Sequence, residues 1–207
     1  METLNEYEKK WWQEGKENIV GMDEAGRGPL AGPLVVAAVC FPKNYHHEGI
    51  YDSKKVSEKK REEMFKIIIE DALEYHLVIV SPEIIDDLNI YRATQKAMED
   101  LGRDFCHVDG ILTDAMPLTG MPCDVISLVK GDQKSVSIAA ASILAKVTRD
   151  HIMKGYDILY PEYGFKDHKG YGTKKHLEAI EKYGVLSIHR QSYGPVKQKK
   201  MEQMTLF

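Results

Sequence analysis

Residues 33 to 41, PLVVAAVCF, form a stretch in which every residue from Leu34 to Phe41 is apolar and three are β-branched valines. Such a run reads as a strand covered on both faces, so it commits the chain to a sheet with layers on either side. The preceding strand reads over residues 18 to 24, NIVGMDE, and Gly26-Arg27-Gly28-Pro29 breaks regular structure between the two. Eight apolar residues fall far short of the ~20 that span a membrane, and METLNEYEKK at the start lacks the basic and apolar regions of a secretion signal. A cytoplasmic protein without a membrane anchor is expected. Three cysteines, Cys40, Cys106 and Cys123, have no metal-binding spacing and read as buried reduced thiols.

Downstream the periodicity changes. Ser57 caps a helix from Glu58 to about Tyr75, whose face carries Met64, Phe65, Ile68, Ile69, Ala72 and Leu73. A strand over 76–80 and a Ser81-Pro82 helix start come next, then a helix over 91–104. Short strands are expected near 107–113 and 124–130, an alanine-rich helix over 135–151, and a helix near 173–183. The pattern is α/β: a mixed sheet with helices packed on it. One catalytic domain is expected over 18–197, between an N-terminal segment 1–17 and a tail 198–207 in which a mobile basic stretch leads to the terminus.

The formal charge of −4 argues against a polyanion partner until its distribution is considered. Residues 62–109 hold twelve acids and four bases, whereas residues 166–200 hold nine bases and three acids. Phosphate is attracted by the local field within about 8–10 Å, so the basic segment matters more than the sum.

Asp23-Glu24 closes the first strand beside a loop with little side chain, an arrangement that suits a hard divalent cation bridging protein and phosphate. The loop formally fits GxGxxA, but no helix opens on it and two carboxylates would repel a pyrophosphate, so a dinucleotide site is rejected. Asp109, Asp114, Asp124 and Asp132 recur at later strand ends. The residues alone do not choose between Asp109 and Asp114.

The segments GMDEAGRGPLAGPLVVAAV, DSKKVSEKKRE, LNIYRATQKAM, TDAM, KGDQKSVSIAAASILAKVTRD, YPEYGFKDHKGYGTKKHLEAI and HRQSYGPVK resemble, in order, bacterial-type ribonuclease HII. The resemblance implies a ribonuclease H-like fold, with a five-stranded mixed sheet flanked by helices and a C-terminal helical extension. It implies an endonuclease that cleaves RNA in RNA/DNA hybrids and incises 5′ to single ribonucleotides in duplex DNA. Two ions of Mg²⁺ or Mn²⁺ would be held by Asp23, Glu24, Asp114 and Asp132, with 3′-hydroxyl and 5′-phosphate products. TDAM selects Asp114 over Asp109, which is then a turn residue with Gly110.

The same resemblance assigns reading of the ribose 2′-hydroxyl to Gly26, Arg27 and Gly28, and contact with the sugar at the RNA-to-DNA junction to Tyr171. Lys54 and Lys146 are candidates for phosphate. His168 and His176 are expected to be exposed and without a role. The sister family, ribonuclease HIII, has an extra N-terminal domain, which is not expected here with 22 residues before Asp23. A non-catalytic nucleic-acid-binding module on the same fold is the alternative from another class. Finally, Gln203, Leu206 and Phe207 resemble a peptide that docks on the replication sliding clamp.

Overall fold

The computed structural model describes residues 4–47, 49–50 and 56–204, with the side chains of 202–204 left aside. Its elements are α1 (Glu6–Gln13), β1 (Ile19–Ala25), β2 (Leu34–Cys40), α2 (Glu58–Asp71), β3 (Glu74–Val80), α3 (Pro82–Leu88) and α4 (Ile90–Asp104). Beyond these lie β4 (Gly110–Asp114), β5 (Asp124–Leu128), a 3₁₀ turn (Gly131–Gln133), α5 (Val136–Leu159), α6 (Phe165–His168), α7 (Lys174–Tyr183) and α8 (Gly194–Met204). The strands form one five-stranded sheet in the order β3-β2-β1-β4-β5. β1 runs antiparallel to β2 and parallel to β4, and β4 runs parallel to β5. The expected mixed sheet is therefore present, and β2 is buried along its whole length.

The chain divides into two compact units, one of residues 1–25, 35–78 and 94–147, the other of residues 26–34, 79–93 and 148–207. In the first, Trp11, Trp12, Ile19, Leu112, Leu128 and Ile138 form a buried cluster. α1 thus anchors a segment whose sequence carries only a weak helical signal. Asp109 ties down the connection from α1 to β1 by accepting from the backbone N–H groups of Glu17 and Asn18 at 3.0 and 2.9 Å. In the second, Leu30, Met153, Tyr163, Phe165, Ile180 and Val196 share a core. Among the described residues no helix is long and apolar enough to cross a membrane.

Several expectations are corrected. The helix after Ser57 stops at Asp71, because Ala72 is extended and the Leu73 N–H donates to the Cys40 carbonyl at 2.9 Å, which starts β3 and leaves Leu73 exposed. β4 begins at Gly110 rather than 107, and β5 ends at Leu128 rather than 130, where Lys130 turns left-handed. α5 continues eight residues beyond His151, and the basic stretch before the terminus is helical in α8. Cys40 is buried as expected, but Cys106 is exposed and Cys123 half-buried. His168 and His176 are buried, not exposed: they stack on each other with ring centroids 4.5 Å apart, and Phe165 packs edge-on against both.

Candidate active site

The carboxylates of the first unit meet because β1 and β4 run parallel in register. Met22 pairs with Thr113, so the next residues, Asp23 and Asp114, lie side by side where that pairing stops, while β1 continues through Glu24 to Ala25 in register with β2. Asp23 is 5% exposed, and it accepts a 2.7 Å hydrogen bond from the Glu24 N–H and another from Ser142 on α5. Burial raises its pKa well above the ordinary carboxylate value, and the nearby charges of Glu24 and Asp114 push in the same direction. Glu24 is half-buried, and its Oε2 atom is shielded from solvent and accepts no hydrogen bond from the described residues.

Asp114 Oδ1 accepts from the Gly131 N–H at 2.8 Å, which places the turn holding the buried Asp132 against the end of β4. The structure thus gathers Asp23, Glu24, Asp114 and the Asp132 turn at one end of the sheet, while Asp109 lies at the opposite end of β4. Among the described residues, no three His, Cys, Asp or Glu side chains stand in positions to chelate an ion by themselves. The donors present are all hard oxygens, with Asp23 buried beside like charges. That set fits a small divalent cation that keeps water and substrate oxygens as further ligands.

Two groups beyond the four acids, Ser142 and Glu8, brace this cluster. Ser142 reaches Asp23 from α5, and Lys146 lies half-buried one helical turn further along the same face. Glu8 of α1, fully buried, accepts from Ser135 Oγ at 2.6 Å and from the Ser137 N–H at 3.1 Å, and so caps the start of α5 just beyond the Asp132 turn. Burial raises the Glu8 pKa despite those hydrogen bonds. An acid in a short N-terminal helix gives no sequence signal for a partner more than a hundred residues away.

In the second unit, Gly26 has φ +103°, and a Cβ there would stand 2.2 Å from Arg149 Nε and 2.8 Å from the Pro33 carbonyl oxygen, so only glycine fits. Arg27 is half-buried and Gly28 exposed. The ring of Tyr171, itself half-exposed, lies 3.4 Å from where a Gly28 Cβ would be. Gly28 and Tyr171 are therefore brought together. The loop that carries Tyr171 is fixed by Gly170, whose carbonyl accepts from the Leu30 N–H at 2.8 Å.

Histidines hold it from below. Leu186 N–H donates to His189 Nδ1, which leaves His189 Nε2 as the donor to His176 Nε2 at 3.1 Å, and His176 Nδ1 then donates to the Tyr171 carbonyl at 2.9 Å. Both rings are neutral, with burial pulling each pKa down to about 4. Lys54, Leu206 and Phe207 lie outside the described residues, as does the side chain of Gln203.

Comparison with solved structures defines the class of this architecture. Ribonuclease H2 from Pyrococcus horikoshii OT3 superposes with a TM-score of 0.77 at 25% identity, over 89% of this chain and 98% of that one. The ribonuclease in a PCNA:RNase HII complex from Archaeoglobus fulgidus gives 0.72 at 25% identity, over 86% and 95%. The fold is that of the ribonuclease H2 nucleases.

The family model for ribonuclease HII matches residues 20–196, and the ribonuclease HII of Clostridioides difficile is 54% identical over 194 residues, 93% of this chain and 76% of that one. The chain belongs to the ribonuclease HII family. It is a ribonuclease, an endonucleolytic hydrolase, which sets aside the non-catalytic module.

Proposed function

We propose that this protein cleaves the RNA strand of RNA/DNA hybrids and incises duplex DNA on the 5′ side of a single ribonucleotide, using divalent cations held by Asp23, Glu24, Asp114 and Asp132. The observation that carries the reading is the burial of Asp23 among like charges on β1, beside the end of β4, a placement that is electrostatically unfavourable unless positive charge is supplied. Bound Mg²⁺ or Mn²⁺, two ions with substrate in place, would activate a water and stabilise the leaving 3′-oxygen.

The chain's own contribution is positional. Ser142 and the Glu24 N–H orient the Asp23 carboxylate, and the Gly131 N–H orients that of Asp114. Gly26, Arg27 and Gly28 present main chain to the ribose, where the 2′-hydroxyl distinguishes RNA from DNA, and Tyr171 packs on the sugar next to it. Lys146 and Lys54 serve phosphate. The tail residues Gln203, Leu206 and Phe207 dock on a sliding clamp. The Archaeoglobus complex with PCNA supports a clamp partner for this family, and action on DNA fits a cytoplasmic location.

Asp132→Asn tests the site. Turnover of a hybrid is expected to fall by at least about 10³-fold while hybrid affinity in EDTA stays within a few-fold, since the charge removed serves the cations. Full activity in the folded variant overturns the assignment.

A further inference from the structure

We infer that Arg190, together with Tyr193, is a positioning residue that sets which edge of the Gly26-Arg27-Gly28 loop faces the substrate, and so controls selectivity for a ribonucleotide. The inference rests on the proposed role of that loop in reading the 2′-hydroxyl. Arg190 is fully buried, and its guanidinium is spent on main-chain carbonyls. Nη1 donates to the Arg27 oxygen at 2.9 Å, Nη2 donates to the oxygens of Gly26 and Gly32, and Nε donates to Gly32 at 3.1 Å. Tyr193 Oη accepts from Arg190 Nη1 at 3.1 Å and donates to the Arg27 oxygen at 2.8 Å. Arg149 continues the row, with Nε on the Pro33 oxygen at 2.9 Å and Nη2 on Ala31 at 3.2 Å.

Burying a guanidinium is costly, and a loop that needed only to be closed could be packed with apolar side chains at less expense. What the fork adds is direction. A trans peptide holds its C=O and the following N–H on opposite sides, so carbonyls of Gly26 and Arg27 turned onto Arg190 turn the N–H groups of Arg27 and Gly28 away from it. Those N–H groups are donors suited to a sugar hydroxyl oxygen. A site built to bond a hydroxyl rejects the analogue that lacks it far better than a merely apolar pocket can, because its own donors are then left unpaired. Lysine offers a point charge and no fork, so it cannot hold two successive carbonyls in one plane.

The test uses the full-length protein and fluorescence anisotropy in EDTA, with two duplexes that differ only by one 2′-hydroxyl. The readout is the ratio of their dissociation constants, alongside thermal melting. Tyr193→Phe and Arg190→Lys are expected to lower that ratio about tenfold, equivalent to ~1.4 kcal/mol, with affinity for the all-DNA duplex unchanged. A purely structural role would weaken both duplexes alike. Arg190→Lys is informative only if it melts cooperatively, and Tyr193→Phe, which removes a single oxygen, carries the test if it does not. Gly28→Ala separates the two levels: a ratio lowered by Gly28→Ala but untouched by folded Tyr193→Phe overturns the role of the clamp alone. A ratio untouched by both overturns the role of the loop beneath it.

Discussion

Replacing Gly21 with alanine should damage stability and activity together, because the residue sits where the sheet and α5 touch. Gly21 pairs with Val39 on one side and Leu112 on the other, so β1 is held in the middle of the sheet and cannot retreat. A Cβ built there lies 2.2 Å from the Ser137 carbonyl carbon, 2.3 Å from the Ile138 nitrogen and 2.5 Å from Ser137 Cβ. Two of the three obstacles are backbone, so no rotamer relieves the clash. Ordinary contact near 3.5 Å requires the start of α5 to move outward by about 1 Å.

Overpacking of this kind costs about 3 kcal/mol, the upper part of the usual range, and in a chain of this size that lowers Tm by roughly 6–12 °C. The displaced turn also carries Ser135, three residues after Asp132, and a misplacement of about 1 Å near reacting groups costs on the order of 10²-fold in rate. Gly155→Ala, on the same helix but with nothing within 4 Å of its Cβ, is the control and should raise stability by about 0.5–1 kcal/mol through helix propensity. Differential scanning fluorimetry and cleavage of a labelled single-ribonucleotide duplex provide both readouts. A Gly21→Ala protein that melts within about 2 °C of the parent and keeps its activity would refute the reasoning.

Asp23→Asn should be inactive yet more stable without metal. The folded pKa of Asp23 is raised, so the folded state holds its proton more tightly than the unfolded chain, and the parent loses stability as pH rises from the ordinary carboxylate range through the folded value. The variant escapes that loss, so urea denaturation in EDTA should show little difference near pH 4 and a higher midpoint than the parent at pH 8. No gain at pH 8 would contradict it. His176 and His189 act in the opposite direction: with folded pKa values near 4 against an ordinary 6.5, the unfolded chain binds protons first as pH falls. Stability from the pair is present above about pH 6.5 and is lost progressively toward pH 4, by a few kcal/mol, and His189→Gln should flatten that slope in a pH series of melts.

Much of the frame is legible in the chain because its signals are local. The apolar run of β2, the Ser57 cap of α2 and the Ser81-Pro82 cap of α3 each state their structure within a few residues. The signals that fail are those settled by distant partners. α1 is a marginal helix in isolation and is fixed by Trp11 and Trp12 in the core and by Glu8 on Ser135. Leu73 continues a helical pattern, yet Cys40 recruits it to the sheet. The histidines look like parts of a basic surface because their sequence neighbours are lysines, whereas Phe165 and Tyr163 enclose them.

The site shows the same division. Asp23-Glu24 can be located from a strand end and a glycine loop, but Asp109 and Asp114 differ only in which end of β4 they occupy, and strand pairing decides that. Arg190 carries no local cue for its role, since its partners are carbonyls more than 150 residues earlier in the chain.

In the proposed reaction water attacks the phosphodiester under the control of four carboxylates, with the 2′-hydroxyl recognised rather than consumed. End-group mapping on a duplex with one embedded ribonucleotide, in Mg²⁺, in Mn²⁺ and in EDTA, tests it most directly. A single cut on the 5′ side of the ribonucleotide, a 3′-hydroxyl and a 5′-phosphate, and no product in EDTA are expected. A 2′,3′-cyclic phosphate would mean that the 2′-oxygen is the nucleophile, and cleavage that persists in EDTA would mean that the carboxylates act without cations; either would contradict it.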